Sequence, residues 1–132
     1  MTATIPESHR DLVSDDKKTF AILSTSMPDG SPQATPIWFD MDDDLVRFNT
    51  ARGRVKDKNI QERPKVALTM MDPDDPYRYL LIRGRVVEET EDGAVDHINS
   101  LACKYEGKAE FSIPEGQVRV IYEVEPTSIV AG

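Results

Sequence analysis

Short β-prone stretches separated by little more than turn residues limit this chain to an antiparallel sheet. Residues 20–25 form a mostly apolar run ending in Ser24 and Thr25, and read as a buried strand. Met27, Pro28, Asp29, Gly30, Ser31 and Pro32 then supply a turn. The next strand, 33–39, contains Pro36, which has no amide to donate and belongs at an edge, a bulge or a strand end. Asp40 to Asp44 read as a second turn. In 45–49, Val46 and Phe48 alternate against Leu45, Arg47 and Asn49. Val66, Leu68 and Met70 alternate in a fourth strand, and Asp72 to Pro76 make a rigid acidic loop. A long strand over 79–87 contains Gly84, the mark of a bulge or tight bend. Val118, Val120, Tyr122 and Val124 alternate in the last strand, against Arg119, Ile121 and Glu123.

Three helices sit at the joins. A short one is expected over 8–17 with Leu12 and Val13 as its apolar pair, and another between Gly53 and Pro64. The third carries Val95, Ile98, Leu101, Ala102 and Tyr105 as one stripe, with Asp92 as its N-cap and Gly107 closing it. Six strands, mostly hairpin-linked, with these helices describe a small antiparallel barrel of the α+β class, and 132 residues make one domain.

Within this frame, 49–60 is the stretch that carries chemistry. Arg52, Arg54, Lys56 and Lys58 crowd a helix start, where unpaired amides favour anions by roughly 0.3–1 kcal/mol each. Cations at that end call for an anion, and a phosphate reverses the sign of each interaction. The alternative is a solvated basic face with Asp57 and Glu62 as local partners. On an ideal helix residues 54 and 56 point about 200° apart. Both reach one phosphate when Arg54 precedes the first helical turn, as Gly53 permits.

The chain carries 16 basic and 24 acidic residues, a net charge of -8. That balance argues against nucleic acid, which needs a broad basic surface, and leaves a small anionic ligand for the one basic patch. Cys103 is the only cysteine, so no internal disulfide forms, and with His9 and His97 far apart no metal ligand set is expected. Charged residues among the first twenty exclude an apolar signal core, and no apolar run approaches the ~20 residues that span a bilayer. A cytoplasmic protein without membrane partners is expected.

Side-chain catalysis finds little support. Cys103 reads as a small packing residue on the flank of the helix stripe, and both histidines read as structural or solvent-facing. No nucleophile elbow, Rossmann or Walker fingerprint occurs, and neither acidic turn supplies a calcium loop. No catalytic residue is assigned. An enzyme built on this chain relies on a bound cofactor for its reaction.

Residues 48–60, followed by Arg63, Pro64, Lys65, Val66, Ala67 and Leu68, resemble the pyridoxamine-phosphate-oxidase-like split-barrel superfamily. Residues 72–79 and the Arg83, Gly84, Arg85, Val86 segment are similar to its branch that uses the deazaflavin coenzyme F420. The resemblance implies a six-stranded antiparallel split β-barrel and a homodimer with cofactor at the subunit interface. Carried onto this chain, it implies that Arg54 and Lys56 hold the cofactor phosphate, and that Asn49 and Thr50 line the ring system or ribityl chain. It further implies that the strand of Gln33, Thr35 and Pro36 runs along the ring's edge, and that Tyr77 lies near the cofactor tail, reached from the second subunit. Trp38, beside that strand, is read as core or dimer interface.

The function expected from the resemblance is F420-dependent hydride transfer to or from a small organic substrate. FMN is the alternative cofactor, since both share a ring, a ribityl chain and a phosphate; Arg52 and Lys58 tilt the balance toward the more acidic deazaflavin. A flavin or deazaflavin carrier without turnover is the alternative of a different class. Oxidation of pyridoxine phosphate is not expected, because residues 127–132 carry no cation.

Overall fold

A computed structural model describes residues 2–132. Among them, seven strands form one antiparallel sheet: β1 (Ala21–Ser26), β2 (Pro32–Ile37), β3 (Phe39–Asp42), β4 (Leu45–Ala51), β5 (Lys65–Asp72), β6 (Asp75–Thr90) and β7 (Arg119–Ala131). Helix α1 (Val55–Glu62) joins β4 to β5, and α2 (Ala94–Glu106) joins β6 to β7. The expected first helix is instead a 3-10 segment, Glu7–Val13, whose Leu12 and Val13 are buried as the apolar pair required.

The strand order β2-β1-β5-β6-β7-β4-β3 explains why the sheet curls. Its two edge strands, β2 and β3, are consecutive in sequence and joined by Trp38 alone. A sheet whose outermost strands share a one-residue connection must bend until its edges meet, which makes the split barrel. This corrects the expected strand count from six to seven. Residues 33–39 form two strands rather than one, because the chain leaves β1 after Ile37 and pairs with β4 from Phe39 onward. The apolar run hides that exchange of partners. Asp40 to Asp42 accordingly belong to a strand, and the turn is confined to Asp43, at φ 52, and Asp44.

Alternation along the strands sorts the side chains. Leu23, Phe39, Val46, Phe48, Leu68, Met70, Leu80, Ile82, Val120, Tyr122 and Val124 fill the barrel, each at most 1% exposed. Burial of such side chains stabilises the fold by roughly 1.5–3 kcal/mol apiece. Pro36 lies in an edge strand, where its missing amide breaks no inner ladder. Gly84 sits at a register shift between β6 and β7, where a Cβ would meet the Glu125 carbonyl oxygen at 2.5 Å. The expected bend is therefore a close approach of two backbones.

Helix α2 covers the outer face of the β3–β4–β7 end. Its Ile98, Leu101 and Tyr105 pack with Trp38, Phe111 and Ile113 in a second apolar cluster. Gly107 closes α2 as expected, but its N-cap is Gly93 rather than Asp92, whose amide bonds to Thr90 instead. Cys103 faces solvent, which corrects the packing role expected of it. No helix among the described residues is long and apolar enough to cross a membrane.

Candidate functional site

The basic turn adopts a specific local geometry. Gly53 takes φ 91, which a side chain tolerates poorly, and turns β4 into α1. Arg54 is the N-cap residue with extended backbone (φ -68, ψ 158), so it precedes the first helical residue, Val55. Asp57, at the third helical position, reaches back to accept the Gly53 amide at 2.9 Å. That carboxylate supplies the helix start with the acceptor that Arg54 cannot provide.

Asp57 also governs Arg52. The Arg52 guanidinium bonds Asp57 at 3.1 Å, Glu89 at 2.8 Å and Glu91 at 2.9 Å. Arg52 is therefore paired with three carboxylates, and Lys58 is exposed on another side of α1. Of the four cations in the turn, Arg54 and Lys56 line a cavity of about 320 Å³. Burial, then the nearby Arg54 and Arg119 charges, push the Lys56 ammonium below the usual lysine range.

The cavity lies at the seam of the barrel. Its walls are Pro36, Ile37 and Trp38 from the β2–β3 passage, Phe20 ahead of β1, Asn49 from β4, and Ile98 and Leu101 from α2. Phe111 and Arg119 complete it. Trp38 stacks on Tyr105 at 5.4 Å and 4° and meets Phe111 edge-on at 6.0 Å, so it is packed and lines the cavity at once.

Pro36, Asn49, Arg54 and Lys56, four of the residues expected at a cofactor site, thus converge on one cavity. Gln33, Thr35 and Thr50 do not line it. Gln33 accepts from the Thr25 hydroxyl at 3.2 Å, opposite the buried face of β1. Thr35 and Thr50 turn toward the barrel interior, each with a buried hydroxyl lacking a hydrogen-bond partner among the described residues. Tyr77, 89% exposed in the β5–β6 hairpin, is also outside the cavity lining.

Arg119 is the residue that sequence reasoning missed. It is 5% exposed, donates from Nε to Asn49 Oδ1 at 2.9 Å and from Nη1 to Gln117 Oε1 at 3.0 Å, and stands 5.3 Å from the Phe111 ring centre. Burial and the neighbouring Arg54 charge lower its pKa to about 10. Its alternation with Val118 and Val120 placed it on the outer face of its strand. Only the pairing of Ala51 with Arg119 brings that face beside Arg54. Among the described residues, none of Arg54, Lys56 and Arg119 forms a salt bridge. Three cations gathered around an apolar-walled cavity without a carboxylate fit an anionic ligand that also presents a flat apolar surface.

Comparison with known proteins agrees with this architecture. Residues 5–131 match the family model described as pyridoxamine 5'-phosphate oxidase, and the chain belongs to that family. A solved structure named F420 reductase is 34% identical, with a TM-score of 0.83 over 96% of this chain and 98% of that one. HupZ of Group A Streptococcus (18% identity, TM-score 0.71, 97% and 94% covered) shares the fold. So does a conserved hypothetical protein of Mycobacterium tuberculosis (19% identity, TM-score 0.72, 97% and 84% covered). No curated protein matches the chain.

Proposed function

We propose that this protein is an oxidoreductase that binds the deazaflavin F420 at the seam cavity and uses it to reduce or oxidise a small organic substrate. The observation that carries the reading is the convergence of Arg54 and Lys56 on one cavity without a carboxylate partner. The 34% identity to a protein named F420 reductase, over nearly the full length of both chains, supports the choice of cofactor. Arg54 and Lys56 hold the phosphate, Asn49 lies beside the ribityl chain, and Pro36 offers the ring an edge of backbone with no amide. When bound, the deazaflavin supplies the hydride chemistry that this chain's side chains lack. The protein's part is to bind, orient and exclude water through Trp38, Ile98, Leu101 and Phe111.

FMN is the second reading, kept open by one specific observation. Arg52, which tilted the sequence argument toward a longer acidic tail, is held by Glu89, Glu91 and Asp57. The remaining site recognises features that the two cofactors share.

The active form in this proposal is a homodimer. Ile22, Thr69, Leu81 and Val130 form a cross-strand row on the outer sheet face, with Met71 and Tyr79 in the next row. Ile22 is 43% and Met71 53% exposed. Phe20 belongs both to this face and to the cavity wall, so a second copy seated there borders the cofactor. Side-by-side titration with F420 and FMN, followed by turnover with the reduced cofactor against quinones, enones and tetrapyrroles, tests the reading. Tight F420 binding with turnover supports it. Binding without turnover makes the protein a carrier, and binding of neither cofactor refutes the assignment.

A further inference from the structure

The Arg119 guanidinium is held by a chain of hydrogen-bonded groups that begins outside the cavity lining. Asp40, in β3, accepts Arg47 Nε at 2.9 Å and Nη2 at 2.8 Å. The same carboxylate lies 3.0 Å from His97 Nε2, and Asn49 Nδ2 lies 3.1 Å from His97 Nδ1. Asn49 Nδ2 also donates to the Ala94 carbonyl at 2.8 Å, and its Oδ1 accepts Arg119 Nε at 2.9 Å.

These bonds leave a single consistent assignment of donors. Asn49 must present its amide nitrogen to His97, because its oxygen serves Arg119. His97 Nδ1 is therefore an acceptor, and the ring proton sits on Nε2, donated to Asp40. Reversing either amide or imidazole would set donor against donor at one contact. The chain Asp40–His97–Asn49 thus fixes which face of Asn49 meets Arg119. His97 is 5% exposed, so water does not substitute readily for any of these partners.

The end product of this arrangement is a buried cation with no anionic partner among the described residues. Arg119 makes neutral hydrogen bonds to Asn49 and Gln117, and the charges nearest to it in the cavity are Arg54 and Lys56. Gathering three like charges around one cavity is unfavourable unless a ligand neutralises them.

We propose that Arg119 is a third anion ligand of the cavity, positioned by the Asp40–His97–Asn49 chain, and that the site selects a ligand carrying two or more negative charges beside its ring. This deepens the cofactor reading above. A phosphomonoester supplies two charges on one group; a phosphodiester followed by a carboxylate supplies them on two. His97 acts through Asn49 as a positioning residue and does not touch the ligand.

Titration of the full chain with FMN, F420 and riboflavin tests the inference, with thermal unfolding recorded for every variant. Arg119→Met is expected to weaken FMN or F420 binding by at least about tenfold, the loss of one charged hydrogen bond, and to leave weak riboflavin binding unchanged. FMN losing more than F420 assigns the charge to one phosphomonoester; the reverse assigns it to phosphodiester and carboxylate. His97→Phe is expected to weaken the anionic ligands about threefold or more in the wild-type background and to have no effect in the Arg119→Met background. An effect of His97→Phe that persists without Arg119, or that extends to riboflavin, overturns the positioning role. Unchanged affinity in Arg119→Met overturns the ligand role. Arg119→Lys keeps the charge without the fork, and is the variant to read if Arg119→Met unfolds. If wild-type protein binds no flavin or deazaflavin, the cofactor reading has failed, and inorganic pyrophosphate is the probe. Fluorescence of Trp38, the only tryptophan, then reports the cavity directly. A pyrophosphate affinity that falls in Arg119→Met sustains the anion site on its own, and equal affinities or no binding overturn it.

Discussion

Asp57 holds the Arg52 guanidinium at 3.1 Å and, with Glu89 and Glu91, keeps it out of the cavity lining. Burial raises the Asp57 carboxyl's pKa, but the Tyr122 hydroxyl, the Gly53 amide and Arg52 together bring it below the usual carboxylate range. Asp57 is 5% exposed, so its acceptor role has no ready replacement by water. Asp57→Asn should destabilise the protein by about 1–3 kcal/mol, the range for a buried charged hydrogen bond. Denaturant unfolding measures it, and a loss below a few tenths of a kcal/mol would show that the helix start holds without the carboxylate.

Acid should weaken the fold through Asp40. Burial alone would raise its pKa, but the Arg47 and His97 hydrogen bonds outweigh burial and bring it from 3.8 down to about 2. Because the folded value lies below the unfolded one, the stabilisation is fully present above pH about 4. It is lost as pH falls through about 2, and amounts to roughly 2–3 kcal/mol. Denaturant midpoints measured between those limits should fall in the wild type and fall less steeply in Asp40→Asn.

Gly84→Ala should destabilise the barrel although the residue needs no unusual backbone angle. The added methyl would meet the Glu125 carbonyl oxygen at 2.5 Å and Val124 Cγ1 at 2.8 Å, and the oxygen belongs to a paired strand that cannot easily retreat. A cost of about 1–3 kcal/mol is expected for such overpacking. Thermal unfolding checks it, and an unchanged midpoint would mean that β6 and β7 separate freely at the bulge.

Met71→Glu should separate the proposed dimer. Met71 is 53% exposed and adjoins the row formed by Ile22, Thr69, Leu81 and Val130. An ionised carboxylate buried against an apolar partner face is strongly unfavourable. Light scattering should report half the wild-type mass with the far-ultraviolet spectrum unchanged. An unaltered mass would place any self-association on another face.

What was legible in the chain follows from the range of each signal. Alternation of Val46 with Phe48 and of Val120 with Tyr122 identified inward faces correctly, because a two-residue period is local information. Gly53, Arg54 and Lys56 were legible for the same reason: a helix start is written in consecutive residues. Strand exchange at Trp38 was not, since the residues on both sides are β-prone and only the partners change. Arg52 was read as a ligand-facing cation because Glu89 and Glu91, which bind it, are more than 35 residues away and arrive through the β6–β7 and β4–β7 pairings. Arg119 was overlooked for the same physical reason, and His97, read as structural or solvent-facing, is buried and bonded to Asn49, which also accepts from Arg119.

The central claim is that the Gly53 turn recruits a phosphorylated redox cofactor through Arg54 and Lys56. Calorimetric titration of F420 and FMN into wild type, Arg54→Ala and Lys56→Ala tests it most directly. Each substitution should raise the dissociation constant at least about tenfold while the thermal midpoint of the unliganded protein does not fall, since neither side chain is in a salt bridge and each removal relieves like-charge repulsion in the cavity. Equal affinities in the wild type and both variants would contradict the account.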